Sequence, residues 1–354
     1  MGFRGFPKVE GGVEKHCEEL YQRLSDNIEM IVFRRRSYVN SSQTFSNIEF
    51  VNLPSTNIKG VENIIHSYLC TRCIAKMKPD LVHIHNIGAA LFSNKLARRG
   101  IPIVLTYHSP NYEHAKWGSF AKKLLLHSER VAFKNSEKII FVNRFQMEKF
   151  PEEIRSKSVY IPNGMTEPVF SPNTDYLKEI GVEPGKFVLS VGRITPEKGF
   201  DLLIRAFENS RHDGYKLVIA GGVEFESKYM EKLRGLCGDD VIFTGFAVSD
   251  QLAQLYTNAA LFVLASRNEG FPLVLLESMS YRLDVLVSDI PATRLVKLEE
   301  SSYFRCDDVD MLAQKLSDKL LSPEKKDYNC SDFDWDNIAM RTEAVYNEIL
   351  NEGK

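Results

Sequence analysis

No run of 18 or more apolar residues occurs in the 354-residue chain, which leaves no candidate for a membrane-spanning helix. The amino terminus lacks the pattern of a secretory signal. Cysteine is sparse: six residues, at 17, 70, 73, 237, 306 and 330, with no framework spacing. That points to a reducing, cytoplasmic setting. The lone Cys70-x-x-Cys73 has no second pair, so packing explains it better than zinc or redox chemistry. Asp308-x-Asp310 precedes an apolar-periodic helix, where capping and the helix dipole account for it. His83 and His85 lie on one face of a strand, but the sequence offers no third ligand, and the expectation is no metal. Satisfied structural histidines are the alternative there. The glycine spacing of a Walker loop is also absent.

What is present is an ordinary globular composition with an uneven charge. Residues 1–165 hold 24 Lys+Arg against 15 Asp+Glu, and the rest hold 21 against 32. The halves carry +9 and −11, which the total of −2 conceals. A basic first half suits an anionic lipid surface or a phosphorylated acceptor. A merely uneven solvated surface is the plainer reading. The length fits two domains.

Short apolar runs alternate with helical periodicity throughout, the pattern of an α/β chain with parallel sheets. The opening, Met1 to Gly12, is a glycine-rich loop with no strand before it. A helix follows from Val13. Strands are expected at 28–34, 48–51, 81–85, 101–107, 139–142 and 159–161, then a turn at Pro162-Asn-Gly164. Residues 165–185 resemble a linker. Strands follow at 187–191, 215–220, 241–244, 260–264 and 285–288. An amphipathic helix at 333–350 closes the chain.

Two loops carry chemistry. Gly192-Arg-Ile-Thr-Pro-Glu-Lys-Gly199 sits between a strand and a helix. Arg193 and Lys198 in it are placed as a diphosphate clamp, Arg with forked donors and Lys with a point charge. Two ordinary loop cations are the plainer reading. The second loop, Ala265 to Pro272, also joins a strand to a helix. Glu269 lies in that loop and Glu277 in the helix. Acceptor-only carboxylates beside a helix start suit hydroxyl-rich ligands such as a sugar and a ribose. An acidic first turn is the plainer alternative. Pro272 suits the first helical position.

Glu269 to Glu277, with Gly270-Phe271-Pro272 between, resembles the E-x7-E signature of retaining glycosyltransferases with the GT-B fold, often called group 1 or family four. Arg193 and Lys198 match that family's second signature, about 70 residues earlier. Gly11-Gly12-Val-Glu14, the His-x-His at 83–85, His108 and Pro162-Asn-Gly164 resemble further family features. Tyr112-x-x-x-Lys116-Trp117 is similar to a subgroup of rhamnosyltransferase-like bacterial enzymes.

The resemblance implies two Rossmann-like domains facing a central cleft, with the first strand of the N-terminal domain apparently missing. The expected division is 1–165, an acceptor-side domain; 166–332, a nucleotide-sugar domain; and 333–354, a helix packing back toward the first. A missing central strand would leave ladder groups unpaired, and the sequence reads as truncated at its start. The implied reaction moves a sugar from a nucleotide-sugar to an acceptor hydroxyl with retention and without a metal, in polysaccharide or glycolipid assembly. Glu269, Arg193, Lys198 and His108 are implied as catalytic. Glu277, Gly12, Gly270, Phe271, Pro272, Leu273, Gly245 and Phe246 are implied to bind the nucleotide-sugar, whose UDP, GDP or dTDP base is unresolved. The expected partners are that donor, a glycan or lipid-linked acceptor and, through the basic half, the inner face of a membrane; nucleic acid is not expected. The alternatives are an epimerase or phosphorylase on the same frame, or an inactive nucleotide-sugar-binding protein.

Overall fold

The computed structural model describes residues 1–354 except 10, 40, 57, 59, 60, 111–117, 224–227, 353 and 354. The Tyr112-to-Trp117 segment therefore lies outside the described residues. The chain divides into two compact units: Met1–Gly164 with Ser331–Lys354, and Met165–Cys330.

The second unit is built on six parallel strands: β7 (Phe187–Val191), β8 (Lys216–Ala220), β9 (Val241–Gly245), β10 (Leu261–Leu264), β11 (Val285–Ser288) and β12 (Tyr303–Phe304), ordered β12-β11-β10-β7-β8-β9. Strands covered on both faces read as near-continuous apolar runs. β10 and β11, LFVL and VLVS, are accordingly buried at every position. Phe262, Val263, Leu286 and Val287 are fully buried. Each contributes roughly 1.5–3 kcal/mol relative to exposure. After β7 the chain adds strands on one side; from β10 onward it adds them on the other. The order therefore reverses between β7 and β10, and crevices at such switch points bind ligands.

The first unit has the same construction in two pieces. β3 (Val82–His85), β4 (Ile103–Tyr107), β5 (Lys138–Phe141) and β6 (Ser158–Tyr160) form a parallel sheet in sequence order. β1 (Met30–Arg35) and β2 (Ile48–Leu53) form a separate parallel pair. Among the described residues no strand pairs with both β1 and β3 to join the two sheets. Residues 1–4 bridge only their carboxyl ends. The Met1 ammonium donates to His83 O at 2.7 Å, His85 N–H donates to Met1 O at 2.8 Å, and Arg35 N–H donates to Arg4 O at 2.8 Å. Burial pushes the Met1 ammonium below its ordinary pKa.

Helix α1 (Gly12–Tyr21), α2 (Val61–Met77), α3 (Asn94–Ala97) and α4 (Ser119–Asn135) belong to this unit. The C-terminal helix, Trp335–Glu352, returns to it and shares a core with α1 through Trp335, Ile338, Tyr346, Cys17 and Leu20.

Candidate active site

In the second unit the loops after β7 and β10 flank the switch point, and two bonds from Arg267 join them. Arg267 N–H donates to Glu197 O at 2.8 Å, and Arg267 Nη1 donates to Pro196 O at 2.8 Å. The same nitrogen reaches Asp201 Oδ1 at 2.9 Å, and Nε reaches Asp307 at 2.6 Å. Asp201 opens α5 (Phe200–Asn209) and also accepts from Tyr229 and Lys232, each at 2.9 Å. Burial opposes its ionisation, but the hydrogen bonds from Arg267, Lys232 and Tyr229 outweigh that and hold its carboxyl well below the usual range.

Gly199 makes the close approach feasible. Its φ is +67°, and a Cβ there would stand 2.0 Å from Ala265 O. With the loops this near, Lys198 Nζ donates to Glu269 Oε1 at 2.6 Å, and Ser266 Oγ donates to the same oxygen at 2.6 Å. The two side chains are only 17% and 10% exposed. The cation and carboxylate expected on opposite parts of one ligand thus hold each other in this structure. Arg193, five residues before Lys198, is exposed, while Ile194 next to it is buried and donates its N–H to Gly222 O at 3.1 Å. The backbone beside Arg193 is thus held at the carboxyl edge of the sheet, and the residue itself is exposed.

Pro272 is the residue before α7 (Leu273–Ser280), not its first residue as the sequence suggests, so its missing N–H still costs nothing. Gly270 and Phe271 lead into it, with Phe271 buried. Glu277 lies in the second turn of α7, half-buried, and accepts from Tyr256 OH at 3.1 Å. Tyr256, in α6 (Ser249–Asn258), is itself stacked on Tyr281 with ring centroids 5.2 Å apart. At the end of β9, Gly245 accepts from Gly221 N–H at 2.8 Å, and the next residue, Phe246, is 56% exposed. Its ring lies on Gly222, where a Cβ would come within 1.9 Å. An exposed aromatic face therefore stands at the same carboxyl edge as Arg193 and Lys198.

In the first unit, four histidine rings gather at the carboxyl ends of β3 and β4. Gly12 opens α1, and His16 follows one turn later. His16 Nδ1 lies 2.7 Å from Asn163 Oδ1. His83 is bonded at both nitrogens, to Tyr346 OH at 2.6 Å and Thr106 Oγ1 at 2.7 Å. It is a satisfied structural histidine. His85 meets Tyr21 OH at 2.6 Å through Nε2 and His108 Nε2 at 3.1 Å through Nδ1. Burial lowers all four pKa values, that of His16 to about 4, so the rings are uncharged at neutral pH. His108 is buried, 8% exposed.

The remaining metal candidates resolve as packing and capping. Cys70 is buried beside His66 at 3.6 Å, and Asp308 Oδ1 caps α8 (Val309–Leu321) by accepting Met311 N–H at 2.9 Å. Sequence reasoning misses His16, Tyr256 and Ser266. Only His16 carried a local signal, four residues past Gly12.

Residues 174–332 match the family described as glycosyl transferases group 1, and residues 10–166 match Glycosyltransferase Family 4. An uncharacterized glycosyltransferase of Methanocaldococcus jannaschii is 24% identical over 96% of this chain and 95% of its own length. The amylovoran biosynthesis glycosyltransferase AmsD of Erwinia amylovora is 22% identical over 61% of this chain and 62% of its own. Among solved structures, that of Anabaena HepE in complex with UDP superposes with a TM-score of 0.73 at 16% identity, covering 97% of this chain and 98% of the other. Two Rossmann-like units with parallel sheets, each matching its own half of this architecture, make the chain a group 1 glycosyltransferase of the GT-B fold with a family 4 N-terminal domain.

Proposed function

We propose that the chain transfers a sugar from a nucleotide-sugar to a glycan or lipid-linked acceptor hydroxyl with retention, in polysaccharide or glycolipid assembly. The observation that carries this reading is the Lys198–Glu269 pair at the switch point, beside the exposed Arg193. When the sugar leaves, negative charge develops on a diphosphate. Arg193 and Lys198 stabilise it, and fixed donors act best where charge develops. Lys198 exchanges its carboxylate partner for phosphate, and the freed Glu269 accepts sugar hydroxyls near the reacting carbon. Glu277, set by Tyr256, accepts from the ribose. Phe246 and Gly245 flank the base, while Gly270 to Leu273 and Gly12 approach the donor with backbone. His108 orients the sugar. With the charge handled by two side chains, the reaction needs no metal at the phosphates. AmsD, named for amylovoran biosynthesis, and the UDP bound by HepE support the polysaccharide and nucleotide parts of this reading.

The acceptor side includes contact with an anionic membrane surface. The exposed face of α4 carries Lys123, His127, Arg130 and Lys134, with Phe120 81% and Leu126 37% exposed. The one acid of α4, Glu129, is buried and accepts from Tyr107 OH at 2.8 Å. Lys95, Arg98 and Arg99, in and just after the neighbouring α3, are also exposed. Such a face suits acidic headgroups.

The test incubates the purified chain with UDP-, GDP- and dTDP-sugars and lipid-linked or glycan acceptors. Acceptor-dependent release of nucleoside diphosphate with a glycosylated product supports transfer. Interconversion of the donor without release indicates an epimerase, phosphate-dependent release a phosphorylase, and binding without turnover an inactive protein.

A further inference from the structure

The histidine cluster of the first unit has an open valence. His16 comes from α1, His85 from the end of β3 and His108 from just past β4. Each offers one ring nitrogen, and the three lie within 4.8 Å of one another. Asn163 Oδ1 only accepts, so His16 carries its proton on Nδ1 and presents a lone pair at Nε2. That Nε2 is wholly buried and has no hydrogen-bond partner among the described residues. A buried acceptor left this way is costly unless something binds it. With His85 Nε2–H donating to the Tyr21 hydroxyl oxygen, that tautomer presents the Nδ1 lone pair toward His108.

We propose that His16 Nε2, His85 Nδ1 and His108 Nε2 bind one divalent ion of the zinc class. Three imidazoles without thiolate or carboxylate suit zinc rather than magnesium or calcium. Nitrogens at zinc distance in a tetrahedral site stand about 3.4 Å apart. His85 and His108, at 3.1 Å, already have that spacing, and His16 closes by on the order of 1 Å. Asn163 and Tyr21 fill the places that carboxylates and carbonyls fill around other zinc histidines, fixing each ring through its second nitrogen. His83, bonded at both nitrogens, is excluded as a ligand. The fourth position belongs to water or a hydroxyl. Zinc binding does not rest on the glycosyl-transfer reading; its consequence does. If His108 orients the sugar, zinc withdraws it and inhibits.

The test is an equilibrium zinc titration of the full metal-stripped chain against a chromophoric chelator, without donor or acceptor, so that its failure leaves the transfer reading untouched. One zinc per chain is expected, at least 100-fold weaker in His16→Gln and His85→Gln. Tyr21→Phe, which keeps the ring, should weaken it about 10-fold or more. Because a buried variant could unfold, cobalt(II) binding to the unaltered chain gives a second readout. Ligand-field bands without intense thiolate charge transfer are expected. No stoichiometric zinc, equal zinc affinity in folded His16→Gln, or a thiolate band from the six cysteines would each overturn the proposal.

Discussion

The carboxyl edges of the two units collect their polar residues by opposite means. In the second unit, Lys198 and Glu277 are only partly covered, and each has a partner that can be exchanged: Lys198 with Glu269, and Glu277 with Tyr256. In the first, the rings are buried and uncharged and bonded to Tyr21, Tyr346, Thr106 and Asn163. Exchangeable contacts to charged groups suit a site that must meet a charged ligand and let it go. A neutral bonded cluster suits orientation or a metal. The difference follows from what each edge must hold, since the parallel sheet beneath is of one kind.

The comparison breaks most visibly if the second unit's cations do not matter. Arg193→Ala should lower kcat by about 100-fold or more. Steady-state kinetics with the identified donor measures this, and an unchanged kcat removes the leaving-group role. Gly199→Ala forces a Cβ against Ala265 O in a left-handed backbone and should cost roughly 2–4 kcal/mol. Chemical denaturation would show it, and stability equal to the native chain would mean the two loops need not approach. Glu277→Ala should raise donor KM by about 10-fold with less effect on kcat, as one hydrogen-bonded ionic contact is lost. An unchanged KM removes the ribose role. Asp201→Asn should lower the melting temperature at neutral pH. With its folded pKa depressed, Asp201 stabilises above its unfolded value of 3.8 and loses that contribution as pH falls. The melting difference should therefore shrink in acid, and a pH-independent difference would argue against the ion pairs. Chelator should not lower transfer, whereas loss restored by a divalent cation would put a metal at the phosphates.

How far the sequence carries this depends on how local each feature is. Phe187–Val191 and Val285–Ser288 have the same bounds in sequence and structure, because strands buried on both faces write as near-continuous apolar runs, here broken only by Ser190 and ended by Ser288. The end of α7 is legible too. A helix end with no glycine in Ser280-Tyr-Arg-Leu-Asp284 must put another residue in the left-handed cap, and Arg282 takes φ 61°, with Arg282 N–H bonded to Met279 O and Leu283 N–H to Ser278 O. What is not legible depends on tertiary approach. Tyr346 meets His83 across 263 residues, and Asn163 meets His16 across 147. No spacing rule joins them, so a third imidazole beside His85 stays hidden until α1 is placed. The Lys198–Glu269 bond is hidden for the same reason: both residues carry a motif, but only the folded loops show that each occupies the other.

The most direct measurement is a crystal structure of the chain soaked with a nucleoside diphosphate matching its donor. The account predicts a diphosphate within hydrogen-bond distance of Arg193 and Lys198, the Lys198–Glu269 bond opened, and the ribose on Glu277. A nucleotide lodged elsewhere, or bound with that bond intact, would contradict it.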